Sequence, residues 1–241
     1  MRAIVGHGGD WNLVESLLRR IRAYSPKAEL TTVIVVAFGY FSLGSVLSVL
    51  FPVATPPITQ RHLIFLLIYE SSTLFALGSI LYARGWNTKR IGLKITARDT
   101  LIGVGLALVA YAAYVVVWWI AVAGGIHPSF PGSYRELASH GLTLPAVAAV
   151  SILNPIYEET FLCGYIVTAA KENHRISAGI NLSVAIRLVY HLYQGSVGVL
   201  GVIPLGLLFA LWYARTGRLW PLFVAHALFD ATGLLQFVGQ D

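Results

Sequence analysis

Charged residues are scarce in this chain, and their scarcity decides its class. Only 12% of the 241 residues are charged, whereas soluble globular proteins carry about 25%. The hydrophobic share is 56%, so we predict an integral membrane protein. The apolar runs are continuous and do not alternate with period two, which disfavours a β-barrel. A single cysteine, Cys163, excludes an intramolecular disulfide.

Seven apolar runs are long enough to cross a bilayer as helices. They predict an all-α, polytopic transmembrane helix bundle with spans at about Leu30–Phe51, Leu63–Tyr82, Thr100–Ala123, Leu144–Ala170, Ile176–Tyr193, Val197–Tyr213 and Leu219–Val238. Glycine and proline interrupt the sixth run, so a bundle of eight spans or a re-entrant segment stays open. Residues 30–241 would then form one membrane-embedded domain.

Residues 1–29 are polar enough to stay outside the membrane. After Asp10, which can cap a helix, apolar residues recur at helical spacing and are followed by three arginines. This pattern fits a helix on an anionic membrane surface and fits a solvated helix equally well.

The distribution of lysine and arginine predicts the orientation of the bundle. Of the 17 basic residues, 14 lie in the N-terminal segment and in the even-numbered connections between spans. Cytoplasmic loops carry this excess, so we expect a multi-pass protein of the cell membrane with a cytoplasmic N-terminus. The net charge of +6 therefore reflects topology and does not indicate nucleic-acid binding.

Seven ionisable residues fall inside the predicted spans: Glu70, Glu158, Glu159, Arg187, His191, His226 and Asp230. A charge near the bilayer centre costs on the order of 3 kcal/mol, so such a set predicts a functional site. Glu70 stands alone in the second span beside two serines, and we interpret it as an interhelical hydrogen-bonding residue.

The spacing of these residues predicts which of them share a helix face. Arg187 and His191 are four residues apart, as are His226 and Asp230, so the members of each pair should face the same way. Glu158 and Glu159 are about 100° apart around a helix and should point to different places. A glutamate with a histidine can activate water. A second histidine with an aspartate can hold an oxyanion or ligate a metal.

These residues resemble the CPBP family, which comprises membrane-embedded CAAX prenyl proteases and bacteriocin-processing or Abi-type proteins. Its motifs EExxxR, FxxxH and HxxxN/D correspond here to Glu158-Glu159-Thr-Phe-Leu-Cys163, Arg187-Leu-Val-Tyr-His191 and His226-Ala-Leu-Phe-Asp230. The three motifs occur in order, each on its own predicted span. The resemblance extends over about residues 144–235.

The resemblance implies an intramembrane endopeptidase similar to CAAX prenyl proteases. Glu158 would activate water with the help of His191, while His226 and Asp230 would stabilise the oxyanion, and Glu159 completes the catalytic set. The mechanism would use either zinc or a metal-free glutamate. An HExxH motif is absent, so a metal would need the separated ligands Glu158, His191 and His226. The substrate would be a peptide or a membrane-associated protein, prenylated only in a cell that prenylates proteins.

Two residues depart from the family's motifs. Cys163 replaces the arginine that should follow Glu159 by one turn, and Arg187 replaces the phenylalanine that should precede His191. Each departure leaves an unpaired charge in the membrane, which is costly. We therefore predict that Arg187 crosses between helices to pair with Glu159, and that Cys163 is a packing residue.

Two other functions stay open at this stage. The chain can be a non-catalytic membrane protein of the same fold, such as an immunity factor or a scaffold. Intramembrane glutamate and histidine also occur in proton pathways, so a transporter is a third possibility. The sequence shows no inverted repeat that would favour a transporter.

Overall fold

In the part of the chain that the structure describes, the bundle is formed by eight α-helices that follow one another. A computed structural model describes residues 15–16, 19–51, 58–126 and 141–239, without the side chains of residues 196 and 197. The helices are α1 Pro26–Leu50, α2 Gln60–Ala83, α3 Ala97–Ala123, α4 Leu144–Glu159, α5 Thr168–Glu172, α6 Ile176–Tyr190, α7 Gly195–Thr216 and α8 Trp220–Leu235. A π-helix, Thr160–Val167, joins α4 to α5, and a 3-10 turn, Leu192–Gln194, precedes α7. The predicted all-α, polytopic architecture is confirmed.

Each of the seven predicted spans corresponds to a helical segment. Helices α1, α2 and α3 and residues Gly198–Thr216 of α7 are long and apolar enough to cross a membrane. Helices α6 and α8 are apolar but shorter. The fourth predicted span is one uninterrupted segment made of α4, the π-helix and α5. The fifth was predicted too long, because α6 ends at Tyr190.

The predicted surface helix at the N-terminus lies partly outside the described residues, Asp10 among them. The part that is described includes a helical stretch at residues 19–22. Arg84, just after α2, donates hydrogen bonds to the carbonyl oxygens of Ile21 and Tyr24 at 2.6 and 2.8 Å. The end of this segment is therefore held against the end of α2.

Helices α1 to α3 begin where the sequence supplies caps. The hydroxyl of Ser25 accepts a hydrogen bond from the backbone N–H of Ala28 at 3.2 Å, and Pro26 follows at the first helical position. Thr96 caps α3 in the same way. Helix α7 ends at Gly217, whose φ of 62° is the left-handed conformation that glycine adopts without strain.

Helices α1 to α3 present large apolar side chains to their surroundings. Val35, Phe75 and Trp119 are 60%, 79% and 62% exposed. Exposed apolar side chains on long apolar helices form a surface suited to lipid.

The carboxyl-terminal helices position the buried polar residues by antiparallel packing. Helix α8 runs antiparallel to α4, since Asn154 contacts Asp230 and Leu142 pairs with Val238. Helix α6 runs antiparallel to the segment after α4 and packs tightly on it. A Cβ atom at Gly179 would lie 2.4 Å from the Cβ atom of Ala170, so this close approach requires glycine.

Candidate active site

A buried cluster of charged residues joins α4, α6 and α8. Glu158 and Glu159 are the last two residues of α4, Arg187 lies in the last turn of α6, and His226 lies in α8. Their exposed fractions are 6%, 0%, 1% and 5%. Buried charges are stable only when paired, so the contacts within the cluster decide whether it can exist.

Arg187 supplies the cation for both glutamates. Its Nη2 atom lies 2.6 Å from Oε1 of Glu159, so the predicted interhelical pair is confirmed. Its Nη1 atom lies 3.2 Å from Oε2 of Glu158. Gly206 of α7 leaves room for the stem of Arg187, since a Cβ atom there would lie 3.3 Å from Cδ of the arginine.

The prediction that Glu158 and Glu159 point to different places is wrong. Both carboxylates reach the guanidinium of Arg187, although they start about 100° apart on the helix. The planar fork of an arginine offers two separate N–H groups, which lets one cation meet two carboxylates.

His226 lies between two carboxylates. Its Nδ1 atom is 2.8 Å from Oε1 of Glu159, and its Nε2 atom is 3.4 Å from Oδ1 of Asp230. The predicted common face of His226 and Asp230 is confirmed by this second contact. Asn154 of α4 donates a hydrogen bond to Oδ2 of Asp230 at 2.9 Å and thereby fixes the aspartate from the other side.

The predicted common face of Arg187 and His191 agrees with the structure, in which the side chain of His191 lies against the backbone of Arg187, one turn earlier. His191 caps the end of α6 with φ −102° and ψ 2°, so the chain has left the helix at this residue. Its Nδ1 atom lies 2.9 Å from the carbonyl oxygen of Arg187. A carbonyl can only accept, so Nδ1 is assigned as the donor and Nε2 is left with a lone pair in the neutral ring. His191 interacts electrostatically with Glu158 and His226, which places it beside the cluster.

Two residues of this site were missed by the sequence analysis. The hydroxyl of Tyr190 donates a hydrogen bond to Oε2 of Glu158, and Asn154 holds Asp230. Asn154 precedes Glu158 by one turn, so a search for polar residues at this spacing would have found it. Tyr190 directly precedes His191 but carries no charge, and its role depends on the tertiary contact alone.

The backbone around the glutamates is irregular. Pro155 lies inside α4 and lacks an N–H group, and the helix changes to a π-helix directly after Glu159. Such π-helical turns occur frequently at functional sites. Cys163 lies in the π-helix and is fully buried in a cluster of apolar residues, as the packing interpretation predicts.

Three residues of the cluster fit a divalent cation by geometry. One ligand atom each from Glu158, Glu159 and His226 lies within 4.8 Å of the others. The predicted ligand set was Glu158, His191 and His226. Among the described residues the cluster with this geometry contains Glu159 in place of His191.

Comparison with known proteins identifies this part of the chain. Residues 140–232 match the family model described as type II CAAX prenyl endopeptidase, Rce1-like. No curated protein and no solved structure matches the chain. The match includes every residue of the cluster and is consistent with the resemblance drawn from the three motifs. The chain is thus a membrane protein, and its carboxyl-terminal part matches the Rce1-like family model, which is consistent with the CPBP family; the Rce1-like family is a family of proteases.

Proposed function

We propose that this protein is an intramembrane endopeptidase that hydrolyses a peptide bond with water activated by Glu158. The observation that carries the proposal is the buried cluster of Glu158, Glu159, Arg187 and His226 within the Rce1-like domain. A structural ion pair needs one carboxylate and one cation, whereas this cluster holds two carboxylates and a histidine around one arginine.

Glu158 is the residue best suited to be the general base. Arg187 and Tyr190 both donate to its Oε2 atom, so the carboxylate is held in one orientation. Water would attack the scissile carbonyl carbon and give one proton to Glu158, which forms a tetrahedral oxyanion. When the C–N bond breaks, this proton passes to the leaving amine. His191 can share the proton through its free Nε2 atom.

His226 and Asp230 are suited to stabilise the oxyanion. Glu159 holds Nδ1 of His226 at 2.8 Å, which fixes the plane of the imidazole, whereas the contact of Nε2 with Asp230 is longer, at 3.4 Å, so the Nε2–H group can also donate to an oxyanion. An N–H donor that is fixed before the reaction stabilises developing charge more than a mobile one. Asn154 keeps Asp230 in place and acts as a positioning residue.

A metal-dependent reaction is compatible with the same residues. Glu158, Glu159 and His226 would hold the ion, and zinc in such a site polarises the carbonyl and promotes ionisation of bound water. The guanidinium of Arg187 competes for both carboxylates. Removal of metal by a chelator, followed by zinc addition, separates the two forms of the mechanism.

The same proposal includes the orientation and the substrate. We place the N-terminus in the cytoplasm on the basis of the basic residues. The substrate is a peptide or a membrane-associated protein, and we propose a prenylated C-terminus because the family model describes a CAAX prenyl endopeptidase.

The test is cleavage of a fluorescent peptide that ends in a CAAX sequence, with and without a prenyl group, by protein in liposomes. Glu158→Gln keeps the size and hydrogen-bonding capacity of the side chain but removes the base. We expect cleavage to fall by a factor of at least about 100 with the fold retained. Full activity of a folded Glu158→Gln protein would favour the scaffold alternative instead.

A further inference from the structure

Glu70 is a buried carboxyl outside the segment that matches the family model. It lies in the middle of α2 and is 1% exposed, whereas its neighbours Ser71 and Ser72 face outward. Among the described residues its Oε2 atom has no hydrogen-bond partner. An interhelical hydrogen-bonding residue would use this oxygen, so that interpretation does not account for Glu70.

Helix packing brings Glu70 to the active site. The side chain of Gln60, the first residue of α2, donates a hydrogen bond to Thr143, the residue before α4, at 3.1 Å. The two helices therefore start side by side and run in parallel. Glu70 lies ten residues after Gln60 and is level with Asn154, about 15 Å along the helix. The charged groups that interact electrostatically with Glu70 are Glu158, Asp230 and His226.

The facing helix also has unused hydrogen-bonding groups at this level. The hydroxyl of Ser151 is buried and has no partner among the described residues. Its carbonyl oxygen cannot receive the usual helical hydrogen bond, because residue 155 is a proline. Ser151 is seven residues before Glu158, so both lie on the same face of α4.

Unpaired polar groups inside a membrane protein match the needs of a peptide substrate. A peptide strand that leaves water must find partners for its N–H and C=O groups within the protein. We propose that Glu70 is a substrate-binding residue whose carboxyl oxygen accepts a hydrogen bond from a main-chain N–H group next to the scissile bond. The N-terminal half of the chain thus contributes to the site. This inference rests on the proposed function.

The test combines kinetics with thermal stability. Glu70→Leu removes the acceptor and keeps a side chain of similar size. We expect KM to rise about tenfold with kcat within a factor of about two, because the lost contact binds the ground state and the transition state equally. The Tm of this variant should stay equal or rise, since no partner inside the protein is lost.

Two further variants sharpen the result. Glu70→Gln keeps an acceptor oxygen and should keep KM within a factor of about three of the wild type. Ser72→Leu, on the outward face of the same helix, is the matched control and should change neither KM nor Tm.

Each of the following outcomes contradicts the inference. A Tm of Glu70→Leu that is several degrees lower would make Glu70 a structural residue, and an unchanged KM would remove it from the substrate. An equal loss in Glu70→Gln would exclude the role of acceptor. A wild type that is active and loses activity in Glu158→Gln, together with an unchanged KM in Glu70→Leu, contradicts the subsite alone. An inactive wild type contradicts the proposed function and the subsite together.

Discussion

Glu29 and Glu158 are both buried carboxylates that accept hydrogen bonds from an arginine and a tyrosine, but their surroundings differ. Glu29, in the first turn of α1, accepts from Arg84, from the indole of Trp86 at 3.1 Å and from the hydroxyl of Tyr165 at 2.7 Å. The remaining N–H groups of Arg84 donate to backbone carbonyl oxygens near the N-terminus. Each carboxylate and each cation in this cluster has a partner inside the protein.

The cluster around Glu158 is incompletely paired. Among the described residues, Oε2 of Glu159, Nε of Arg187 and Oε2 of Glu70 have no hydrogen-bond partner. A buried polar atom without a hydrogen-bond partner lowers the stability of a protein. Such atoms are therefore typical of sites that bind water or a ligand. The contacts of Glu29 therefore connect helices, whereas the unpaired atoms around Glu158 are available to the water and substrate of the proposed reaction.

Arg187→Phe should have the largest effect on stability, because it leaves two carboxylates buried without their cation. Breaking a buried pair typically costs about 3–5 kcal/mol. We expect thermal unfolding in detergent at a clearly lower temperature, together with loss of peptide cleavage. Phenylalanine is the residue that the family motif has at this position, so packing alone does not explain a loss.

A second variant tests whether Arg187 replaces the arginine that the family motif has at position 163. Cys163→Arg added to Arg187→Phe should restore much of the lost stability, because Cys163 lies close enough to interact electrostatically with both Glu159 and Arg187. A double-mutant cycle between positions 159 and 187 measures the coupling directly. Additive effects in that cycle would contradict the assignment of this pair.

Glu29→Gln should lower stability by about 1–3 kcal/mol, since it weakens several hydrogen bonds to a charged group but keeps an acceptor. Activity per folded molecule should stay unchanged, in contrast to variants of the Glu158 cluster. The matched control is Glu172→Gln. Glu172 pairs with Arg90 at 2.7 Å, but both side chains are partly exposed, and such pairs contribute less than about 1 kcal/mol. A loss of kcat in Glu29→Gln would contradict the division between the two clusters.

The helical architecture could be predicted from the sequence because each apolar run is long and carries its own boundaries. The seven predicted runs each contain one helical segment. The Arg187–Glu159 pair could be predicted as well, because two unpaired charges inside a membrane have to find each other. These predictions depend on local composition and on the cost of burying charge.

The details that sequence reasoning missed depend on how helices end and on which neighbours they meet. His191 lies beyond α6 because the helix stops at Tyr190, and no proline or glycine marks that stop in the sequence. The convergence of Glu158 and Glu159 on one cation depends on the position of α6. Glu70 looked isolated, since nothing in the chain order indicates that α2 packs beside α4.

Tyr190→Phe is the smallest change, because it removes one oxygen atom and keeps the aromatic ring. The ring stacks on Phe38 with centroids 5.4 Å apart, so packing is retained and stability should fall by about 1 kcal/mol or less. The hydroxyl is one of two donors that orient Glu158, and Arg187 remains as the other. We therefore expect kcat to fall about tenfold with KM unchanged, since orientation of the base matters in the transition state. The measurement is peptide cleavage by Tyr190→Phe and by the control variant Tyr157→Phe. In the wild type the hydroxyl of Tyr157 donates a hydrogen bond to a backbone carbonyl oxygen of α1. Equal kinetics in the two variants would mean that Tyr190, like the residues around Glu29, only fastens helices together.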